Sequence, residues 1–97
     1  RRQVYAAFAT PAGCVDTLLY SAQRELTEFT IGNLALELDG QWFTPPLSSG
    51  LLPGVMRQEL LMQGQLHERV LTLDDLPLAS GLALLNSVRG WVSVSLA

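Results

Sequence analysis

Apolar and polar residues alternate most regularly over Leu34-Ala35-Leu36-Glu37-Leu38, a period of two that predicts a strand with one face buried. Asp39-Gly40 follows, a dipeptide that tolerates the positive φ of a two-residue hairpin turn, and Gln41-Trp42-Phe43-Thr44 returns as the partner strand. Upstream, Leu26 to Leu34 carries the same period, which sets the acidic Glu28 among apolar and β-branched neighbours. Burying a carboxylate there is costly unless a cation or hydrogen-bond donors meet it. Taken alone, the stretch is read more simply with Glu28 and Thr30 on the wet face of an edge strand. Asp16 to Ser21 has the mostly apolar pattern of a buried strand, and the polar Ala22-Gln23-Arg24-Glu25 turns the chain into the Glu28 strand, so the two pair as a hairpin.

The period lengthens elsewhere. Val4, Tyr5 and Phe8 lie at helical spacing and predict a short helix over Arg1 to Ala9, stopped by Thr10-Pro11-Ala12-Gly13. Two prolines and small residues make Pro45-Pro46-Leu47-Ser48-Ser49-Gly50 a loop. Leu52-Pro53-Gly54-Val55 then opens a helix with Val55, Met56, Leu60 and Leu61 at helical spacing, ending near Gln63-Gly64. Leu66 to Leu71 predicts a short strand. Thr72 with Asp74 and Asp75 gives an N-cap and first-turn acids for a brief helix towards Ala79. Leu82 to Leu85 and Trp91 to Leu96 are strands on either side of Asn86-Ser87-Val88-Arg89-Gly90. The order predicts one α/β domain over residues 1–97, strand-rich with two or three short helices and no internal repeat or linker.

Composition narrows the function classes. The 97 residues suffice for one small domain, and 48% apolar against 15% charged residues suits a packed core. A net charge of −3 without any basic run argues against nucleic acid and against a membrane-surface patch, and no stretch reaches the length of a membrane span. Small molecules and protein partners remain. All six basic residues are arginines, Arg1, Arg2, Arg24, Arg57, Arg69 and Arg89, so chemistry needing a side-chain amine must draw it from elsewhere. The single Cys14 excludes an internal disulfide, fits a reducing, cytoplasmic compartment and reads as a core filler. His67 stands alone, without the second histidine or neighbouring cysteine that a zinc site would require, so no metal site is expected. The abrupt start at Arg1-Arg2, with too short an apolar run for a secretory signal, leads us to expect a cut within a longer polypeptide.

Three features together suit a phosphorylated cofactor with a ring nitrogen. A helix N-terminus offers unpaired amides and a positive dipole end, and Gly54 lets a phosphate approach the amides of Val55 and Met56. Ser87, with the amide of Val88, can complete the cradle. Glu28 facing a pyridine nitrogen would hold it protonated. Singly, a glycine before a helix can mark a mere boundary, and a serine in a turn can be only a turn residue.

Glu28-Phe29-Thr30-Ile31-Gly32-Asn33-Leu34, then Thr44, then Leu52-Pro53-Gly54-Val55-Met56-Arg57 resemble the signature of the class IV pyridoxal-phosphate aminotransferases in order and loop spacing. Thr44 to Gly54 and Asn86-Ser87-Val88-Arg89-Gly90-Trp91 resemble more closely its 4-amino-4-deoxychorismate lyase branch, often fused behind an aminodeoxychorismate synthase component I. The resemblance covers nearly the whole chain. Ala35 departs from it where an aromatic residue is usual, and Trp42 where an aliphatic one is.

The resemblance implies the C-terminal domain of the D-amino-acid-aminotransferase-like fold (fold type IV), with pyridoxal 5'-phosphate as cofactor. Glu28 would meet the pyridinium, Gly54, Val55, Met56, Ser87 and Val88 would bind the phosphate, and Arg89 is either a substrate-carboxylate ligand or a surface arginine. Arg57 is assigned a structural or supporting role. The Schiff-base lysine would lie in a His-Lys-Thr-Thr-like run upstream of Arg1, so no catalytic residue is expected in this chain, which would be inactive alone. The parent would need an N-terminal domain, act as a homodimer and convert aminodeoxychorismate to p-aminobenzoate and pyruvate. A branched-chain or D-amino-acid transaminase would use the same Glu28 and phosphate groups, and Arg89-Gly90-Trp91 favours the lyase. A non-catalytic interaction domain with Leu-rich surfaces is the alternative of a different class.

Overall fold

Strands are the main regular element among the described residues. The computed structural model describes the backbone of residues 2–9 and 15–96 and the side chains of residues 17–95. The strands are β1 (Arg2–Ala9), β2 (Val15–Ser21), β3 (Leu26–Phe29), β4 (Gly32–Leu38), β5 (Gln41–Thr44), β6 (His67–Glu68), β7 (Gly81–Asn86) and β8 (Gly90–Leu96), with one α-helix, α1 (Val55–Met62), between β5 and β6. Short 3-10 helices cover Leu47–Ser49 and Leu73–Leu78.

β4 is the hub. One edge pairs with β7 from Asn33↔Leu85 to Glu37↔Gly81. The other serves two partners in turn, β3 through Glu28↔Asn33 and Phe29↔Gly32, then β5 from Leu36↔Phe43 to Leu38↔Gln41. The β3–β4 pairing closes a ring in the order β4-β3-β2-β1-β8-β7, antiparallel throughout, and β5 with its parallel partner β6 extends it.

Alternation along β4 and β7 sorts side chains to the two faces of this ring. Leu34, Leu36 and Leu38, with Leu82 and Leu84, join Leu18, Leu26 and Phe29 in one buried core, completed by Leu71 and Leu76 from the segment after β6. The intervening Ala35, Ala83 and Leu85 are buried too, because Leu66 and the α1 residues Met56, Leu60 and Leu61 cover them together with Trp42. Ala35 and Trp42, the two departures from the class pattern, thus lie in one cluster. A small residue beside a large one keeps the total volume, the kind of exchange a packed core tolerates best.

The fold corrects the sequence reading in four places. Arg1 to Ala9 is not a helix; β1 pairs with β2 from Arg2↔Ser21 to Ala9↔Val15, with a register shift between Val4 and Ala6. The extra residue Tyr5 breaks the two-residue phase, which makes the strand imitate a helical spacing. The Leu26–Leu34 stretch is two strands joined by a turn at Thr30-Ile31. Leu66 and Leu71 are buried, but only His67–Glu68 between them form a strand, and the exposed His67 lies at the sheet edge with its ring 6.2 Å from that of Phe43. The helix after Thr72 is of 3-10 type and contains Pro77, whose ring in an α-helix would clash with the carbonyl four residues earlier. Its N-terminal signal is accurate, since Asp75 accepts from the Thr72 amide at 2.8 Å. The Thr10–Gly13 stop and Cys14 lie outside the described residues.

The Asp39-Gly40 hairpin forms as expected, with φ of 52° and 78° at its two turn residues. Among the described residues no helix is long and apolar enough to cross a membrane, and no cluster of metal-ligating side chains occurs.

Candidate functional site

Glu28 and Asn33 are cross-strand partners of β3 and β4, and both are buried, Glu28 with 5% of its surface exposed. Their side chains grip one residue of the loop that precedes α1. The Glu28 carboxylate accepts from the Leu52 amide at 3.1 Å, and the Asn33 Nδ2 donates to the Leu52 carbonyl at 2.9 Å. Two side chains thereby satisfy both backbone groups of a residue that belongs to no sheet, as buried polar groups require. The wet-face alternative for Glu28 is excluded.

Further contacts fix the rest of the loop. Thr44 Oγ1 donates to the Leu34 carbonyl at 2.6 Å where the loop leaves β5. Arg57, only 1% exposed, donates through Nη2 to the Pro45 carbonyl at 3.1 Å and to the Glu68 carboxylate. Arg57 therefore ties α1 to the start of the loop and to β6. Ser49 Oγ donates to Glu25 Oε1 at 3.0 Å.

Held this way, α1 is preceded by Gly54, whose extended φ of −64° and ψ of 147° suit any residue. Its requirement for glycine comes from packing: a Cβ there would lie 2.1 Å from Asn33 Oδ1. The helix starts without a side-chain cap and without an acidic residue in its first turn, so its leading amides have neither a helical carbonyl nor a capping oxygen to meet.

Glu28, Asn33, Gly54, Met56, Asn86 and Ser87 all line one cavity of about 390 Å³, within the roughly 300–1,000 Å³ of small-molecule sites. Val88 lines it too. Val55 lines an adjoining depression of about 400 Å³ that shares Met56, Asn86 and Ser87. Glu28, the α1 start and Ser87, far apart in sequence, are thus brought together.

Two expected residues are placed otherwise. The Val88 amide donates to Asn86 Oδ1 at 2.8 Å, so in this arrangement it is already engaged instead of completing the cradle, and the 93% exposed isopropyl group is what Val88 presents. The Arg89 amide also donates to Asn86 Oδ1, at 3.1 Å, and its exposed side chain lines neither depression. Sequence reasoning passed over Asn33 and Asn86 as site residues. An amide side chain inside or beside an apolar strand needs partners just as Glu28 does, and that signal was legible at Asn33.

The donor set suits pyridoxal phosphate: a buried carboxylate for a protonated ring nitrogen, and an uncapped helix start with a serine hydroxyl for a phosphate.

Residues 4–97 match the family model described as amino-transferase class IV. A Schizosaccharomyces pombe protein that bears the provisional name aminodeoxychorismate lyase is 46% identical over 77 residues, 76% of this chain and 33% of that protein. Among solved structures, one from Mesorhizobium loti with the provisional name amino-acid aminotransferase is 42% identical with a TM-score of 0.77, over 80% of this chain and 38% of that one. The 4-amino-4-deoxychorismate lyase from Pseudomonas aeruginosa is 30% identical with a TM-score of 0.75, over 87% of this chain and 33% of that one. The chain spans roughly a third of the length of these relatives.

Proposed function

The chain belongs to the aminotransferase class IV family, and on that premise we propose that it is the C-terminal, cofactor-binding part of a pyridoxal-phosphate-dependent 4-amino-4-deoxychorismate lyase. The reaction would convert aminodeoxychorismate to p-aminobenzoate and pyruvate. The observation that carries the cofactor reading is the single cavity lined by buried Glu28, by Gly54 and Met56 at the uncapped start of α1, and by Ser87. Similarity to proteins named as aminodeoxychorismate lyases supports the choice of substrate.

Bound pyridoxal phosphate supplies an electron sink for the carbon that bears the substrate's amino group. Glu28 keeps a proton on the ring nitrogen, and its second task, accepting from the Leu52 amide, orients the carboxylate. Val55, Met56 and Ser87 hold the phosphate, while Asn33 fixes the backbone from which α1 starts. Arg89, on the exposed turn after β7, is available to a substrate carboxylate. The proton-moving lysine comes from outside this chain, which contains none, so the chain alone is inactive. We place the parent in the cytoplasm as a homodimer whose N-terminal domain supplies the other wall of the site.

An amino-acid transaminase is the second reading, favoured by the 42% identity to the Mesorhizobium loti protein. Purified parent enzyme separates the two. Release of pyruvate from aminodeoxychorismate without an added keto acid supports the lyase, whereas turnover that requires a keto acid acceptor rejects it.

A further inference from the structure

We propose that Asn86 is a positioning residue that couples the two turns walling the cavity, the Thr30-Ile31 turn of β3–β4 and the Ser87–Arg89 turn of β7–β8. Its Oδ1 accepts from the amides of Val88 and Arg89, while its Nδ2 donates to the Ile31 carbonyl. One side chain thus shapes its own turn and holds the neighbouring one.

The Thr30-Ile31 turn needs such a brace. Two-residue hairpins favour turns with positive φ, because their twist matches that of the strands. Asp39 and Gly40 adopt it, but among the described non-glycine residues positive φ is confined to Arg24 and Asp39. Thr30 and Ile31 are both β-branched and stay out of that region. Their turn is therefore of a less favoured kind, and β3 pairs with β4 at only two positions before β4 turns to β5.

The approach of the two turns is close by construction. A Cβ on Gly32 would lie 2.5 Å from the Leu85 carbonyl oxygen, so the Ile31–Gly32 peptide is seated directly against the end of β7. Ile31, Gly32, Asn86, Ser87 and Val88 all line the cavity. A ligand that moves the Ser87 turn therefore pulls on the Ile31 carbonyl through Asn86. In the Glu28 direction, the same hairpin carries Glu28 and Asn33, so the coupling links the anion end of the cavity to its carboxylate end. This rests on the cofactor reading above only where a ligand is involved.

Nuclear magnetic resonance on the 97-residue chain tests both parts, with inorganic phosphate as the probe. Asn86→Ser keeps a short acceptor for the turn amides but cannot reach Ile31, and Asn86→Ala removes both functions. In the ligand-free chain, Asn86→Ala is expected to raise exchange at Val88 about tenfold and to move the Gly32 amide nitrogen, which reports on the Ile31 carbonyl, whereas Asn86→Ser moves chiefly Gly32. An unmoved Gly32 in folded Asn86→Ser overturns the proposal. On phosphate titration the wild type should shift Ser87 and Gly32 with one midpoint, and Asn86→Ser should retain the Ser87 response with a Gly32 response reduced at least about fivefold. Equal Gly32 responses in both proteins also overturn it. If phosphate shifts neither Ser87, Val55 nor Met56 in the wild type, the cradle reading fails, and the ligand-free comparison still decides the coupling.

Discussion

Gly54→Ala is the sharpest probe of the loop that positions the site. The backbone at Gly54 suits alanine, so no strain arises from φ and ψ. The new Cβ would lie 2.1 Å from Asn33 Oδ1 and 3.3 Å from its Cγ, and meets no other atom within 4 Å. Asn33 is the part that must move, and it is buried and donates to the Leu52 carbonyl. Displacing it breaks that bond and strands a buried amide, at about 1–3 kcal/mol. Alanine is a poorer N-cap than glycine by some tenths of a kcal/mol, roughly offset by about 0.4–1 kcal/mol from a stiffer unfolded chain. The net loss is about 1–3 kcal/mol, a urea midpoint lower by about 0.3–3 M. Asn33→Ala clears the space, so Gly54→Ala in that background is expected within about 0.5 kcal/mol of neutral, which gives a coupling of at least about 0.5 kcal/mol in a double-mutant cycle. Equal costs of Gly54→Ala in the two backgrounds would refute the steric argument and return the glycine requirement to the approach of a ligand.

The Arg57–Glu68 pair predicts an asymmetry. Glu68 is about half exposed and is rehydrated when its partner goes, but Arg57 is buried, so Glu68→Ala leaves an uncompensated cation and costs about 2–3 kcal/mol, more than Arg57→Met; the reverse order in urea denaturation would contradict the burial of Arg57. Glu28→Gln retains an oxygen for the Leu52 amide and is expected to leave inorganic phosphate binding at the α1 start unchanged while weakening pyridoxal phosphate about tenfold or more by loss of a charge-assisted bond, as read by fluorescence titration. Because the chain has no lysine, borohydride treatment with pyridoxal phosphate should leave no pyridoxyl group on any internal peptide in mass spectrometry, although the amino-terminal amine can react.

Local chemistry by itself determined the Asp39-Gly40 hairpin, the α1 start and stop, and the acidic first turn after Thr72, because each depends on the φ range or hydrogen bonding of a few consecutive residues. The odd placement of Glu28 was legible for the same reason: a carboxylate among apolar neighbours needs partners wherever it folds. What the partners are was decided only in three dimensions. The Leu52 backbone comes to Glu28 and Asn33 because the ring closes through β3–β4, a contact made at a turn with no turn-forming residues of its own. β1 became a strand because β2 lay beside it to absorb a bulge at Tyr5, a pairing that outweighs the spacing of three apolar side chains. The Val88 amide was taken by Asn86, and Arg57 was buried between Pro45 and Glu68, because competition for a donor or a cation depends on which groups lie within about 3 Å in space, and the order of residues along the chain does not fix those distances.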